Sequence, residues 1–230
     1  MAISAPSWLP PSGWDEQARL QTLRDTRILD APREPAFDNL VRLATILCET
    51  PVGAINFIDA DREFILAEIG IGARERNLGP LEGRDACICL PTLYRVGLTV
   101  IPDMAADPRL SVHAKVKGPP HYRFYAGIAL RADNGMALGT LCVLDTVARP
   151  QGLTAAQEEG LRTLAESIMA QVIARREQEA AGERARHLEL LTEALPQMVW
   201  SADASGQLDY GNRRCYEFVD GPEPISEIGG

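Results

Sequence analysis

The sequence predicts an α+β fold, a central antiparallel sheet with helices packed on it and a long C-terminal linking helix, from three observations. Two pairs of short apolar runs are joined by polar turn residues, Asp59-Ala60-Asp61-Arg62 and Asp133-Asn134-Gly135, the mark of antiparallel hairpins. An apolar stripe at three- and four-residue spacing runs through 37–48. Thr154 and Gln157 make a capping box at the head of a much longer helical stretch.

Taken in order, the first helix is expected over 14–28, capped by Ser12, with Asp15 and Glu16 in the first turn where the helix dipole favours anions. Asp30-Ala31-Pro32 ends it. The second begins at Pro35, a residue suited to the first helical position, and Phe37, Leu40, Val41, Ala44, Leu47 and Cys48 form its stripe. Pro51 closes it. Strands are expected over 52–58 and 63–69, then a polar loop over 70–85. The apolar stretch 86–94 carries Pro91 and reads as a short or broken helix, and a strand over 98–101 stops at Pro102. Residues 104–122, with Pro108, Gly118, Pro119 and Pro120, read as a long irregular crossing, a length often functional in compact domains.

Strands over 124–130 and 137–144 flank the second turn. In the long helix Leu161, Leu164, Ile168 and Val172 give the packed face. Residues 175–186 are charged and Ala-rich, and Leu188, Leu191 and Leu195 then resume an apolar seam that suits pairing with a second copy. Pro196 breaks the helix. Two short strands, 198–203 and 207–210, surround Ala204-Ser205-Gly206, and a further helix starts near Asn212.

Composition narrows the function classes. The 23 basic and 32 acidic side chains leave a net charge of −9, which disfavours a phosphate-neutralising nucleic-acid surface. No run of 18 apolar residues exists to span a membrane, and residues 1–12 lack the basic start and apolar stretch of a signal peptide. The five cysteines, Cys48, Cys87, Cys89, Cys142 and Cys215, are odd in number and scattered, so they read as buried thiols of a reducing, cytoplasmic compartment.

Local sequences then carry a family likeness. Arg123-Phe124-Tyr125-Ala126-Gly127 and the run Leu138-Gly139-Thr140-Leu141-Cys142-Val143-Leu144-Asp145-Thr146 closely resemble a GAF subgroup of bacterial sensor histidine kinases and diguanylate cyclases. The stretch from Leu23 to Pro32, Ala36-Phe37-Asp38, the first turn, Val100-Ile101-Pro102-Asp103 and Ala106-Asp107-Pro108-Arg109 resemble the same subgroup. Residues 190–203, Gly206 and Tyr210-Gly211-Asn212-Arg213-Arg214 are similar to the start of a PAS domain. The likeness implies a flexible N-terminus over 1–13, a GAF domain over 14–174, a linking helix over 175–195 and the N-terminal part of a PAS domain over 196–230.

Candidate ligand-binding residues, placed between the sheet and the 86–95 crossing, are Asn56, Phe57, Cys89, Tyr94, Tyr125, Gly127 and Cys142. Phe57, Cys89 and Cys142 have core packing as their plainer reading; Asn56 needs a partner if buried, or else faces water at an edge. Cys87 and Cys89 invite a metal or redox reading, yet the sequence offers no second cysteine pair or histidine cluster near them, so no metal and no catalytic residue is expected. The resembled subgroup has Ser-Phe-Cys-x-His at this place; here Cys87 replaces the Ser and Pro91 the His.

The cofactor is unknown. Bilin and cyclic nucleotide are disfavoured, because the Cys-His dipeptide and the Asn-Lys-x-Phe-Asp-Glu motif of those family members are absent. His113 and His121, the candidates for haem, sit in the polar crossing and read as solvated. Arg123 and Asp145 are read as a structural pair or turn caps, and Asp103 and Asp107 as turn residues. The expected function is a sensory input module, often of a histidine kinase in a two-component system, acting as a homodimer through the exit helix on an unknown small ligand or partner. The alternatives are a thiol redox sensor or enzyme using Cys87 and Cys89, and a ligand-free dimerisation module.

Overall fold

The computed structural model describes residues 10–71 and 87–219. The expected polar loop lies outside these residues except for Gly70 and Ile71, as do much of the N-terminal stretch and the end of the PAS-like segment. The chain forms two units, meeting at Ala174 and Arg175.

The first unit opens with α1, Glu16–Asp25. Its cap is Asp15, whose carboxylate accepts from the Ala18 amide at 2.9 Å, and not the expected Ser12. Asp is as good a cap as Ser, and it sits one residue before the helical run. Helix α2, Pro35–Cys48, starts where expected and buries Phe37, Val41, Ala44 and Cys48, with Leu40 and Leu47 partly covered. It ends at Glu49 in the left-handed conformation, with the Thr50 amide returning to the Thr45 carbonyl.

Strands β1, Val52–Ile58, and β2, Glu63–Ile69, form the first hairpin. A single helical turn, α3 (Leu90–Leu93), precedes β3, Leu98–Ile101. Another single turn, α4 (Ala114–Lys117), is the only helix among the described residues of the long crossing. Its cap is His113, whose Nδ1 accepts from the Lys115 amide at 3.1 Å. Strands β4, Phe124–Arg131, and β5, Ala137–Asp145, form the second hairpin, with Gly135 at φ 81° supplying the left-handed turn residue.

The sheet order is β2-β1-β5-β4-β3, antiparallel throughout. Strands β1 and β5 are neighbours at its middle, and every residue of both is buried. One face packs with α1, α2 and the start of α5, the helix Ala155–Ala194, in a core containing Phe37, Phe57, Phe124, Leu141, Leu161, Ile168 and Val172. The other face is covered by the crossing segments, in a second core containing Ile58, Leu90, Leu93, Met104, Leu110 and Tyr125.

Side-chain contacts tie the ends of these elements. Arg149 donates to the carbonyls of Cys48 and Glu49 at the end of α2, pairs with Asp145 at 2.8 Å and lies over the Phe124 ring at 5.0 Å. Thr154 and Gln157 bond reciprocally, as the capping box predicts, and the Gln157 amide also reaches the Leu47 carbonyl. Arg123 and Asp145 do not pair through their side chains. Arg123 binds Asp103 at 2.6 Å and Asp145 binds Arg149, because each side chain takes the opposite charge of its own loop.

The second unit holds the remainder of α5, the hairpin β6 (Trp200–Ala202) and β7 (Leu208–Gly211), and α6, Arg213–Val219. Buried Asn212 holds it together, donating to the Thr192 and Gln197 carbonyls and accepting from the Val199 amide. Among the described residues no helix is long and apolar enough to cross a membrane.

The centre of the sheet has no spare volume at Gly139, where a Cβ would run into the Asn56 carbonyl on β1. Gly139→Ala is expected to lower stability by about 1–3 kcal/mol through forced separation of the central strands. Urea denaturation compared with the unaltered chain measures it.

Candidate functional site

The site grows from the register between β1 and β5. Asn56 stands opposite Thr140 and Ala54 opposite Cys142, so their side chains on the crossing-facing side lie next to one another. The Asn56 side-chain oxygen, Oδ1, accepts from the Thr140 amide at 3.2 Å and from its hydroxyl at 2.6 Å. With its oxygen so fixed, the Asn56 amide nitrogen points under the crossing and donates to the Glu63 carboxylate and to Cys89 Sγ, the latter at 3.2 Å. Asn56 is therefore buried and fully used, not an edge residue facing water.

Cys89 is the hub. Its sulfur lies 3.6 Å from Cys142 Sγ, and Glu63, Cys87 and Cys89 have their ligating atoms all within 4.8 Å of one another. Hydrogen bonds from Cys142, Cys87 and Asn56 hold the Cys89 thiol well below its usual range, against the opposing effect of burial. Donation to Cys89 followed by burial pushes Cys87 and Cys142 the other way. Burial, then the charge at Cys89, raises Glu63 to about 7.

Tyr125 and Gly127 complete this face. The ring of Tyr125 lies over Gly127, where a Cβ would collide with the phenol, and its hydroxyl shares a hydrogen bond of 2.7 Å with Thr92 on α3. Glycine at 127 is thus what lets a buried tyrosine reach the crossing. Tyr94 is at the rim, partly buried and edge-on to Trp14 with ring centres 4.9 Å apart.

Five of the seven sequence-predicted residues, Asn56, Cys89, Tyr125, Gly127 and Cys142, are therefore brought together, with Tyr94 beside them. Phe57 is not. It follows Asn56 on a strand whose side chains alternate, and it is buried with the helices on the opposite face. The sequence reading missed Glu63 and Thr140. Glu63 opens β2 and Thr140 sits in an apolar strand, and only the sheet order joins them to the thiols. β2 carries a second acidic residue, Glu68, so nothing in its own strand singles Glu63 out.

A separate groove of about 330 Å³ lies along β3, lined by Pro91, Arg95, Thr99, Asp103, Asp107 and Arg109 among others. Asp103 and Asp107 each accept from a backbone amide of their own turn, as expected, and pair with Arg123 and Arg109. Thr99 is 2% exposed, and its hydroxyl has no hydrogen-bond partner among the described residues. None of the seven candidates lines this groove.

A family model described as GAF domain matches residues 32–172. The chain is 30% identical over 164 residues to a cyclic di-GMP phosphodiesterase of Pseudomonas aeruginosa, a match covering 71% of this chain and 27% of that protein. The chain thus spans about a quarter of the length of the curated relative it matches. Among solved structures, the GAF domain of an Acinetobacter phosphoenolpyruvate-protein phosphotransferase is 17% identical, covering 73% of this chain and 99% of that one, with a TM-score of 0.49. The GAF domain of a putative sensor histidine kinase from Pseudomonas syringae pv. tomato is 20% identical, covering 71% and 93%, with a TM-score of 0.46.

Two outcomes follow from the cluster. Asn56→Ala strips the partners of the Thr140 hydroxyl and the Glu63 carboxylate inside the fold, and is expected to cost about 1–3 kcal/mol in chemical denaturation. Glu63 has a folded value of about 7 against an ordinary 4.5. The stability its protonated form contributes is complete below about pH 4.5 and is lost as pH rises through about 7. In chelator-treated, reduced protein, Glu63→Gln is expected to flatten that part of the stability–pH curve.

Proposed function

The chain belongs to the GAF domain family, and on that premise we propose that it is the sensory, regulatory input region of a bacterial signal-transduction protein. Its signal is received beneath the crossing, around Asn56, Cys89, Tyr125, Gly127 and Cys142, and is passed on through α5 to an output that residues 1–230 do not contain. A histidine kinase of a two-component system is the output favoured by the sequence likeness of the GAF and PAS-like segments. The similarity to a cyclic di-GMP phosphodiesterase supports signalling in general and leaves cyclic-dinucleotide turnover as the competing output.

The observation that carries the relay is α5. It begins in the core, burying Leu161, Ile168 and Val172, and continues as one helix to Ala194. Along its later part and just beyond it, Leu188, Leu191 and Leu195 are 62%, 52% and 46% exposed. Exposed leucines spaced by three and four residues are the pattern by which a helix pairs with its own copy. A parallel homodimer buries both seams and gives a small change in the core a defined lever arm.

Light scattering on the purified chain at tens of micromolar is expected to give a dimer. Replacing Leu188, Leu191 and Leu195 together by Glu is expected to weaken it at least about 100-fold, because six carboxylates would face one another across the seam. An unaltered chain that is monomeric at that concentration defeats the dimeric relay. A second reading, a thiol redox sensor, is favoured by the approach of Cys89 and Cys142 sulfurs to 3.6 Å. Cysteines that stay unalkylated until the chain is unfolded, before and after peroxide, defeat that one.

A further inference from the structure

We propose that Glu63, Cys87 and Cys89, with Cys142 as the fourth ligand, form a binding site for a thiophilic divalent cation, Zn²⁺. The proposal goes beyond the sensory reading and holds whether or not the site carries a signal.

The donor set is the first ground. Two thiols and a carboxylate have their ligating atoms within 4.8 Å of one another, and a third thiol touches the hub. Thiolate with one oxygen ligand suits Zn²⁺ at four-coordinate geometry. At Zn–S distances of about 2.3 Å, two sulfurs of a tetrahedron lie about 3.8 Å apart. Cys89 and Cys142 stand at 3.6 Å, so that edge needs almost no movement. Cys142 lies outside the set whose atoms are all within 4.8 Å of one another, so the remaining closure draws Glu63 and Cys87 toward the Cys89–Cys142 edge.

The surroundings are the second ground. Metal ligands are held by outer hydrogen bonds that fix their direction. Asn56 does this here, donating to both Glu63 and Cys89 while Thr140 holds its oxygen. The ligands come from β2, from the segment entering α3 and from β5, so the central strands set their spacing. Ile58, Leu90, Leu93 and Tyr125 share the same core, an apolar shell that strengthens metal–thiolate attraction.

Charge is the third ground. A carboxylate and thiols gathered inside a fold repel one another once ionised, and among the described residues Lys115 acts on Glu63 with the opposite charge. A dication at the centre of the set opposes that repulsion directly. On binding, the thiols release their protons to solvent and no electron is transferred.

The test is metal analysis of the full chain purified under reducing conditions, followed by Co²⁺ titration of the chelator-stripped chain. About one zinc per chain and the visible bands of tetrahedral cobalt thiolate are expected. Cys89→Ser is expected to weaken Zn²⁺ binding at least about 100-fold in competition with a chromophoric chelator, and Glu63→Gln about 10-fold or more, whereas Cys48→Ala, in the opposite core, leaves it unchanged. Glu63→Gln is nearly isosteric and keeps the comparison valid if Cys89→Ser fails to fold. Four results would overturn the proposal: no zinc and no cobalt bands with all thiols reduced; equal Zn²⁺ affinity in Glu63→Gln and the unaltered chain; a Cys89–Cys142 disulfide that forms in place of metal uptake; or an iron–sulfur chromophore.

Discussion

The structure depends on the register between β1 and β5. These two strands are buried on both faces, so a slip of one residue would turn Ile55 and Phe57 out of the helical core and Asn56 into it. Three features resist the slip. Gly139 admits the β1 backbone where any Cβ would collide, Asn56 bonds to Thr140 across the pair, and Arg149 ties the end of β5 to the end of α2. The same register brings Cys142 and Thr140 to the residues that face the crossing. Fold and site are consequences of one pairing.

That dependence explains what the sequence could and could not disclose. The hairpins were legible because turn chemistry is local: Asp-Asn-Gly fixes its own backbone, and the flanking strands follow within a residue. The capping box and the Pro35 start are equally local. Five members of the site were legible because the family likeness located the crossing beneath which they lie. Phe57 was misplaced because a likeness names a stretch of strand, whereas alternation decides the face, and Asn56 and Phe57 cannot both point the same way. Glu63 and Thr140 were not legible at all. They join Cys89 only through the order β2-β1-β5, which is a property of the folded sheet and leaves no trace in spacing.

Among the described residues, the candidate site is a packed cluster of thiols, amide, hydroxyl and carboxylate. Such a cluster responds to species whose bonds to sulfur exceed the contacts already made, which selects for soft cations or thiol chemistry over bulky organic ligands. The groove along β3 has the opposite character. It has volume, both signs of charge and the buried Thr99 hydroxyl, and it is near the lower end of the range for small-molecule sites. Helix α3 is common to both, with Pro91 lining the groove and Thr92 bonded to Tyr125, so occupancy of one bears on the shape of the other.

A change at the cluster has a short path to the exit helix. Asn56 sits between Ile55 and Phe57, and Cys142 between Leu141 and Val143, and these four apolar neighbours share a core with Leu161, Ile168 and Val172 of α5. Alternation along a strand makes each ligating or hydrogen-bonding residue the immediate neighbour of a residue that packs with the helix. Because both strands are enclosed on both faces, they have no solvent-exposed side toward which to yield. Drawing Glu63 and the thiols together therefore displaces the central strands against the helical layer. For this to act as a signal, the bound species must favour one packing of α5 over another by its own differential affinity. A set of ligands divided among β2, β5 and the crossing has that property, since it closes only when all three hold the same spacing.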